Sequence, residues 1–398
     1  MNLGELGHLS YSTLVHPGDD WEDIKASVQS FLPAVKKRVS PDGAFGVSLR
    51  LSHASVSALE TNPDQREWLK GFLDSQDMYL YTVNAFPYGP FKNRVVMEDV
   101  YEPDWTSDER VNYTIAIAHL LAELSPAHIS PSIQTAPLAF APRVKGEAYV
   151  ESFTHNVLKV VAALWRLEQD TGRRVKLALE PEPACYLETT DETIIYFTQH
   201  IYTEKASRAL ARLGNMPLSE AEGALRRYLG IVFDIGHQAV GFEDIPSSLR
   251  SLVAAGIPIF KLQEAAALWV ENLSIDVVPS LRRFTDTIYL SQTTLKTSDG
   301  LAKYLHLKDA LDAYESNPVT TELRCHFHVP VFLEEIGPFR TTRFAVLQAL
   351  EMHRETPLSD HLEIETYTWD VLPEELKTGD IVDYVTNELL FSIEALTS

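Results

Sequence analysis

Four short apolar segments of this chain each run directly into a polar side chain that can bind a metal ion. Their last residues are Glu180, Asp234, Gln263 and Glu365. In a parallel α/β barrel the C-terminal ends of the strands meet on one face. Oxygen ligands that arrive there from several strands would form a divalent-cation site. The order of these segments therefore predicts an α/β fold with a site at the strand ends.

Apolar runs alternate with amphipathic helical patterns along most of the chain, which is typical of β-α-β units. The predicted strands are residues 9–15, 45–51, 78–83, 129–134, 175–179, 230–233, 257–262 and 362–366. The predicted helices are residues 20–38, 63–75, 108–124, 151–170, 341–354 and 380–395. Eight such strands predict a closed (β/α)8 TIM barrel. A doubly wound open sheet is the alternative, but the early strands lack a Gly-x-Gly-x-x-Gly turn.

One stretch is too long for an ordinary barrel connection. Between predicted strands seven and eight, about residues 270–335 contain an extended segment at 287–293, a turn at 298–300, a helix at 307–314 and a strand at 325–332. We predict an insertion near the barrel mouth, because loops of this length are usually functional. A single barrel domain can exceed about 400 residues. The 398 residues, 45% of them hydrophobic, are therefore predicted to form one domain, 1–398.

The composition of the chain argues against some classes of binding partner. The formal net charge of −22 argues against nucleic acid as a partner and against docking on an anionic membrane. No segment resembles a signal peptide or a membrane span. Cys185 and Cys325 are too few for a disulfide framework, and we expect both to be small buried residues. These features predict a cytoplasmic protein with a small-molecule partner.

Carboxylates at the strand ends suggest proton transfer. Glu180 and Glu182 stand in a Glu-Pro-Glu-Pro sequence, whose prolines would hold them in place. Asp234 and His237 form an Asp-x-x-His pair whose Gly236 would permit a sharp turn. Two carboxylates on opposite sides of a substrate could move a proton between neighbouring carbons. Each carboxylate could instead cap a helix or pair with a surface cation.

Other polar residues are candidates for substrate contact. His326 and His328 share one face of a predicted strand, which suits a ligand pair or a solvated face. Lys261 would point into the barrel, where we expect a salt bridge to a metal-ligand carboxylate rather than a Schiff base. The remaining candidates follow strands one to three: His16, Arg50, Asn84, Phe86 and Tyr88.

The order strand-Glu, strand-Asp-x-x-His, strand-Gln, strand-Glu resembles the xylose isomerase-like TIM barrels, which include ketose epimerases, sugar isomerases and repair endonucleases. The resemblance implies acid/base roles for Glu180 and Glu365, metal ligation by Asp234, and a substrate or outer contact for His237. Gln263 stands where the epimerases usually have a metal-binding histidine, so His326 or His328 would replace it. The implied cofactor is a divalent ion, Mn²⁺ before Mg²⁺ or Zn²⁺.

Longer motifs resemble the EboE family of metabolite traffic proteins. They lie at residues 7–11, 16–18, 84–90, 179–183, 187–193, 326–332, 337–342 and 365–375. This resemblance implies a role in moving a secondary metabolite or its precursor. It also implies membrane-protein partners from the same gene cluster.

The sequence leads us to expect one of two functions. The first is a metal-dependent isomerase or epimerase of a sugar, polyol or metabolite precursor, with metal on Glu180, Asp234, Gln263 and Glu365. The second is a non-catalytic protein that binds a metabolite and hands it to membrane partners. A metal-dependent nuclease is disfavoured by the net charge.

Overall fold

A computed structural model describes residues 1–92, 94–285, 288–371, 377 and 379–398. Its strands in chain order are β1 His8–Tyr11, β2 Phe45–Arg50, β3 Met78–Asn84, β4 Ser132–Thr135, β5 Lys176–Leu179, β6 Leu229–Asp234, β7 Ile259–Glu264, β8 Ala266–Val270, β9 Thr293–Thr297, β10 Gly300–Tyr304, β11 Glu322–Val329, β12 Glu335–Ile336, β13 Phe339–Thr341 and β14 His361–Ile364.

Its α-helices in chain order are α1 Trp21–Val39, α2 His53–Thr61, α3 Pro63–Ser75, α4 Asp108–Leu124, α5 Glu147–Thr171, α6 Thr190–Tyr196, α7 Glu204–Gly214, α8 Leu218–Tyr228, α9 Ile235–Val240, α10 Ile245–Ala254, α11 Val278–Leu281, α12 Leu307–Ser316, α13 Arg343–Glu355 and α14 Ile381–Thr397.

Eight parallel strands form a nearly closed barrel in the order β1-β14-β7-β6-β5-β4-β3-β2. The two ends of this sheet meet through a parallel bridge between Ser12 and Ser48. Helices cover the outside, and most barrel strands are buried along their whole length, as in parallel sheets covered on both faces. The predicted α/β barrel is confirmed, and the open-sheet alternative is wrong.

Side-chain hydrogen bonds fix where individual elements begin, and the predicted end of one strand needs correction. The side chains of Thr189 and Glu192 form the capping box that begins α6. The first strand, in contrast, ends at Tyr11 rather than at residue 15. The hydroxyl of Ser12 accepts a hydrogen bond from the backbone N–H of Leu14, and a short 3₁₀ turn follows.

A second, antiparallel sheet lies between β7 and β14, in the order β10-β9-β11-β8-β13-β12. It begins at Ala266 and ends at Thr341, beyond both limits of the predicted 270–335 insertion. Residue 287, the first of the predicted 287–293 segment, lies outside the described residues, as do residues 372–375 of the 365–375 motif. In β11 the register shifts between Cys325 and His328, a bulge of the kind that re-aims side chains near sites.

One large apolar core fills the space between the barrel and its helices. Two smaller apolar clusters lie near the barrel mouth, one containing Phe86 and Leu290, the other Phe91 and Tyr289. Among the helices of the described residues, none combines the length and apolar character that crossing a membrane requires.

Candidate functional site

Four buried side chains meet at the C-terminal face of the barrel, where the strands β5, β6, β7 and β14 end. Nε2 of Gln263 lies 2.7 Å from Oε1 of Glu180, 2.5 Å from Oδ2 of Asp234 and 2.9 Å from Oε2 of Glu365. We call Glu180, Asp234, Gln263 and Glu365 the carboxylate cluster. The structure thus brings together all four residues that the sequence predicts to share a metal ion.

Gln263 enters the carboxylate cluster as a hydrogen-bond donor. Its amide oxygen has no hydrogen-bond partner among the described residues. An amide nitrogen carries two hydrogens, so it cannot satisfy three carboxylates by itself. Burial, followed by repulsion from neighbouring carboxylates, holds the pKa values of Glu180 and Glu365 well above their usual range. In this geometry protons and an amide, rather than an oxygen ligand from Gln263, hold the acids together.

Further amides fix the two glutamates. Nε2 of Gln134 donates to Oε2 of Glu180 at 2.5 Å, and Nδ2 of Asn84 donates to Oε1 of Glu365 at 2.7 Å. Oδ1 of Asn84 in turn accepts from the backbone N–H of Phe86 at 3.1 Å. Asn84 therefore positions a glutamate, a role different from the predicted contact with substrate hydroxyls.

Lys261 lies beneath the site and is fully buried. Its Nζ donates to Oε1 of Gln134 at 2.7 Å and to Oε2 of Glu363 at 2.9 Å. The lysine thus pairs with a carboxylate, but its partner Glu363 is not one of the predicted metal ligands. Lys261 therefore holds Gln134 in place from below, and its role is to orient the residues of the site.

The Asp-x-x-His pair sits at the junction of β6 and α9. Oδ1 of Asp234 accepts from the backbone N–H of His237 at 2.8 Å and so caps the helix. Gly236 is needed for space rather than for an unusual backbone angle, because a Cβ there would lie 3.0 Å from the Cβ of Ala265. The cap directs His237 inward beside the carboxylate cluster, where its Nε2 lies 3.8 Å from Oδ2 of Asp234.

Three buried histidines, His237, His326 and His328, form a second group that we call the histidine cluster. One ring nitrogen from each lies within 4.8 Å of the others. Nδ1 of His237 faces the carbonyl oxygen of Pro181 at 2.9 Å, and Nδ1 of His328 faces that of Glu365 at 2.6 Å. A carbonyl oxygen only accepts hydrogen bonds, so both Nδ1 atoms carry hydrogen, and in a neutral ring Nε2 is then left with a lone pair.

His326 is held in the same tautomer by Gln292. Nε2 of Gln292 donates to Oε1 of Glu182 at 3.0 Å and lies 3.1 Å from the hydroxyl of Tyr101. This orientation leaves Oε1 of Gln292 to accept from Nδ1 of His326 at 2.8 Å. Nε2 of His326 therefore also presents a lone pair, and it lies 2.9 Å from Nε2 of His328.

The histidine cluster fits a metal ion. Burial, with repulsion from neighbouring histidines, holds the pKa of His326 well below its usual range, and burial lowers the pKa of His328 to about 4. Two neutral rings with facing lone pairs cannot form a hydrogen bond. Nitrogens bound to one ion at about 2.1 Å can lie about 3 Å apart. Among the described residues, a second group that could hold a metal consists of Glu180, Asp234 and His237.

Glu182 supports the histidine cluster from outside. Its Oε1 accepts from the hydroxyl of Tyr101 at 2.9 Å and lies 3.9 Å from Nδ1 of His326. Tyr101 and Gln292 lie in no recognisable motif, so only their positions in the folded chain reveal them. Gln134, in contrast, ends the predicted strand 129–134, and its position at a strand end is the signal that could have identified it.

Arg50 and His16, which the sequence suggests as substrate contacts, do not line the same cavity as the carboxylate cluster. Nη1 of Arg50 pairs with Asp19 at 2.9 Å, and its Nη2 donates to the carbonyl of Gly89 at 2.7 Å. The ring of His16 stacks on Phe31 at 4.1 Å. Both residues line a separate cavity of about 10 Å³, room for one water molecule. They anchor loops that surround the site.

Tyr88 also lies away from the lining of the site. Its ring stacks on His53 at 4.6 Å and meets Tyr113 edge to face at 5.0 Å. Phe86, two residues earlier, does reach the cavity above the carboxylate cluster. Only one of the two predicted aromatic residues therefore lines the site.

A cavity of about 50 Å³ lies above the two clusters. Its floor is polar and contains Asn84, Gln134, Glu180, Glu182, His237, His326 and Glu365. Its remaining wall, which we call the roof, consists of Leu14, Phe86, Pro87, Phe91, Val96, Met97, Val100, Tyr289, Leu290 and Tyr367. Carboxyl, amide and imidazole groups therefore face one small cavity. The fold and this site together define a (β/α)8 barrel with a buried polar centre at its C-terminal face.

Solved structures share the general fold. A xylose isomerase-like TIM barrel protein from Mycobacterium smegmatis in complex with magnesium is 10% identical, with a TM-score of 0.49 and coverage of 98% of this chain and 97% of that one. The IOLI protein with a binding zinc atom is 13% identical, with a TM-score of 0.48 and 98% coverage of both chains. A D-tagatose 3-epimerase-like protein is 13% identical, with a TM-score of 0.46 and 98% coverage of both chains.

These similarities give no information on the chemistry of the site, because the identities are so low. No protein-family model matches the chain. A search among curated proteins also finds no match.

Proposed function

We propose that this protein is a metal-dependent enzyme that moves a proton on a small metabolite bearing hydroxyl or carbonyl groups, as in sugar or polyol isomerisation or epimerisation. One observation carries the proposal. The carboxyl groups of Glu180 and Glu365 both lie within 2.9 Å of Nε2 of Gln263 and face the same cavity as the histidine cluster. The site therefore combines two acids with a group of metal-ligand type.

The histidine cluster would hold the ion through the three Nε2 atoms, with Asp234 beside it. Imidazole nitrogens favour Zn²⁺ over the Mn²⁺ expected from oxygen ligands alone. When bound, a divalent ion polarises the oxygen of a hydroxyl or carbonyl group. The backbone carbonyls of Pro181 and Glu365 and the amide of Gln292 would keep the rings oriented, as outer contacts do in metal sites.

Glu180 and Glu365 would carry the proton. Their raised pKa values allow one carboxyl group to hold a proton while its partner accepts one, which suits general acid–base catalysis near neutral pH. Gln134 and Asn84 orient the two groups toward the cavity, and Gln263 keeps them on either side of one nitrogen. The enclosed cavity would exclude bulk water from the transferred proton.

Proton exchange tests this proposal directly. The zinc-loaded protein would be incubated in D₂O with a panel of ketoses and oxidised polyols, and deuterium on carbon would be followed by NMR. We expect exchange with the wild type and its loss in Glu180→Gln and Glu365→Gln. The exposed Glu151→Gln variant is the matched control and should behave as the wild type. Equal exchange in Glu365→Gln and in the wild type would contradict the proposal.

A second candidate is a non-catalytic metabolite-binding protein that works with membrane partners. It is favoured by Gln263, whose amide occupies the centre of the carboxylate cluster and ties up the acids. In that case a metabolite would bind without any carbon-bound deuterium appearing. Binding that persists in Glu180→Gln, together with no exchange in the wild type, would support this candidate over the enzyme.

A further inference from the structure

The roof and the floor of the cavity differ in chemistry. All the side chains that form the roof are apolar or aromatic, whereas the floor presents carboxyl, amide and imidazole groups. We propose that the site takes an amphipathic metabolite, with a hydroxylated or carbonyl head on the floor and an aliphatic or aromatic tail under the roof. The position of the head rests on the proposed function, whereas the apolar tail rests on the roof alone.

The roof is assembled from four distant parts of the chain. Phe91, in the loop after β3, stacks on Tyr289 of the insertion at 4.6 Å and meets Tyr367 edge to face at 5.5 Å. The backbone N–H groups of Val96 and Met97 donate to the carbonyl of Ile288 at 2.9 and 3.2 Å. Aromatic rings from separate segments therefore converge above one polar floor, which is how binding sites for apolar groups are commonly built.

A free sugar would suit the floor but not the roof. A sugar carries hydroxyl groups around most of its ring, so several would face Phe91, Val96 and Leu290 without a partner. Each buried hydroxyl left unsatisfied weakens binding by roughly 5- to 100-fold. A methylene group in the same place strengthens binding by about fourfold. The roof thus selects against polyhydroxylated ligands and in favour of a tail.

The size of the cavity indicates how the tail is received. About 50 Å³ holds a few water molecules, whereas pockets for drug-sized ligands span roughly 300–1,000 Å³. A tail would therefore lodge between the roof segments and separate Phe91 from Tyr289. Burial of these rings against the tail replaces their contact with one another, so the apolar surface stays covered.

A series of 1,2-diols with one head and tails of increasing length tests the inference on the wild-type protein. Glycerol, 1,2-butanediol, 1,2-hexanediol and 1,2-octanediol would be titrated by calorimetry. We expect affinity to rise about fourfold for each added methylene, with glycerol the weakest. An affinity that does not change with tail length, or no binding of any diol at millimolar concentration, would overturn the inference.

Variants locate the tail. Phe91→Ala should weaken 1,2-octanediol by about tenfold or more while leaving glycerol unchanged, since it removes apolar contact area only. The exposed Leu301→Ala variant is the matched control and should bind as the wild type, and thermal melting would verify that each variant is folded. Unchanged binding of the long diol in folded Phe91→Ala would contradict the assignment.

The proposed amphipathic ligand and the proposed enzymatic function can each be rejected without the other. Dependence on tail length without deuterium exchange would retain the amphipathic ligand and remove the enzymatic function. Exchange on free sugars, with no dependence on tail length, would do the opposite.

Discussion

Nε2 of His326 lies 2.9 Å from Nε2 of His328, although Nδ1 of each ring already donates to an oxygen. Two neutral imidazoles would not normally bring their lone pairs together inside a protein, because nothing there screens the repulsion. A shared cation removes this conflict. The relationship therefore makes the histidine cluster, rather than the carboxylate cluster alone, the centre of the proposed metal site.

Gln292 is predicted to act through His326. Replacing it in Gln292→Met removes the acceptor for Nδ1 of His326 and the donor to Glu182. We expect zinc affinity to fall about 10- to 100-fold, the usual cost of losing an outer contact in a metal site. Competition with a chromophoric chelator would measure this fall. Gln199→Met, at an exposed position, should leave affinity unchanged, and equal affinities in the two variants would show that Gln292 has no positioning role.

Gln263 is predicted to stabilise the fold by donating hydrogen bonds to the acids around it. Gln263→Glu removes its two N–H donors and adds a fourth buried carboxyl group to the cluster. We expect the free energy of unfolding of the metal-free protein to fall by about 3–5 kcal/mol, the range for an uncompensated buried charge. Urea denaturation would measure it, with exposed Gln199→Glu as control. A loss of less than about 1 kcal/mol would mean that the cluster tolerates the charge.

Lys261 and Glu363 form a buried pair that should be coupled. Lys261→Met leaves Glu363 unpaired, so we expect a loss of about 3–5 kcal/mol in the free energy of unfolding. The double variant Lys261→Met/Glu363→Leu should recover much of this loss, because no isolated charge remains. Chemical denaturation of the single and double variants would show the coupling. Additive losses would indicate that the two residues act independently.

Stability should fall as pH rises because of Glu388. Burial raises the pKa of this residue to about 8 in the folded protein, from 4.5. The folded state therefore binds the proton more tightly than the unfolded chain. The stabilisation that this proton provides is complete below pH 4.5. It is lost as the pH rises through about 8, at ~1.4 kcal/mol per pH unit. Glu388→Gln should flatten this slope in denaturation measured from pH 5 to 8.5, whereas exposed Glu394→Gln should not. A slope that is the same in both variants would exclude Glu388 as its source.

The sequence predicts the barrel because each strand and helix is encoded locally, by apolar runs and amphipathic periods. It also predicts the meeting of Glu180, Asp234, Gln263 and Glu365, because parallel strands place their C-terminal ends on one face. It does not predict that Gln263 turns its nitrogen inward, since that choice depends on three neighbours distant in the chain. The sequence does not predict the position of Arg50 for the same reason. Its partners Asp19 and Gly89 come to lie beside its guanidinium group only after folding.

The positions of His326 and His328 can be predicted from the sequence only in part. The spacing of His326 and His328 predicts a shared face, and the bulge in β11 then aims both rings at His237. No pattern in the sequence identifies the partners that fix their tautomers. Those partners, Pro181, Gln292 and Glu365, come from three separate parts of the chain.

A zinc titration of metal-free protein by calorimetry tests the central claim most directly. The wild type should bind one ion per chain. Affinity should fall at least about 100-fold in His328→Gln but stay within about tenfold in Glu365→Gln and in the exposed control His155→Gln. Equal binding by the wild type and His328→Gln, or a loss confined to Glu365→Gln, would contradict a metal site in the histidine cluster.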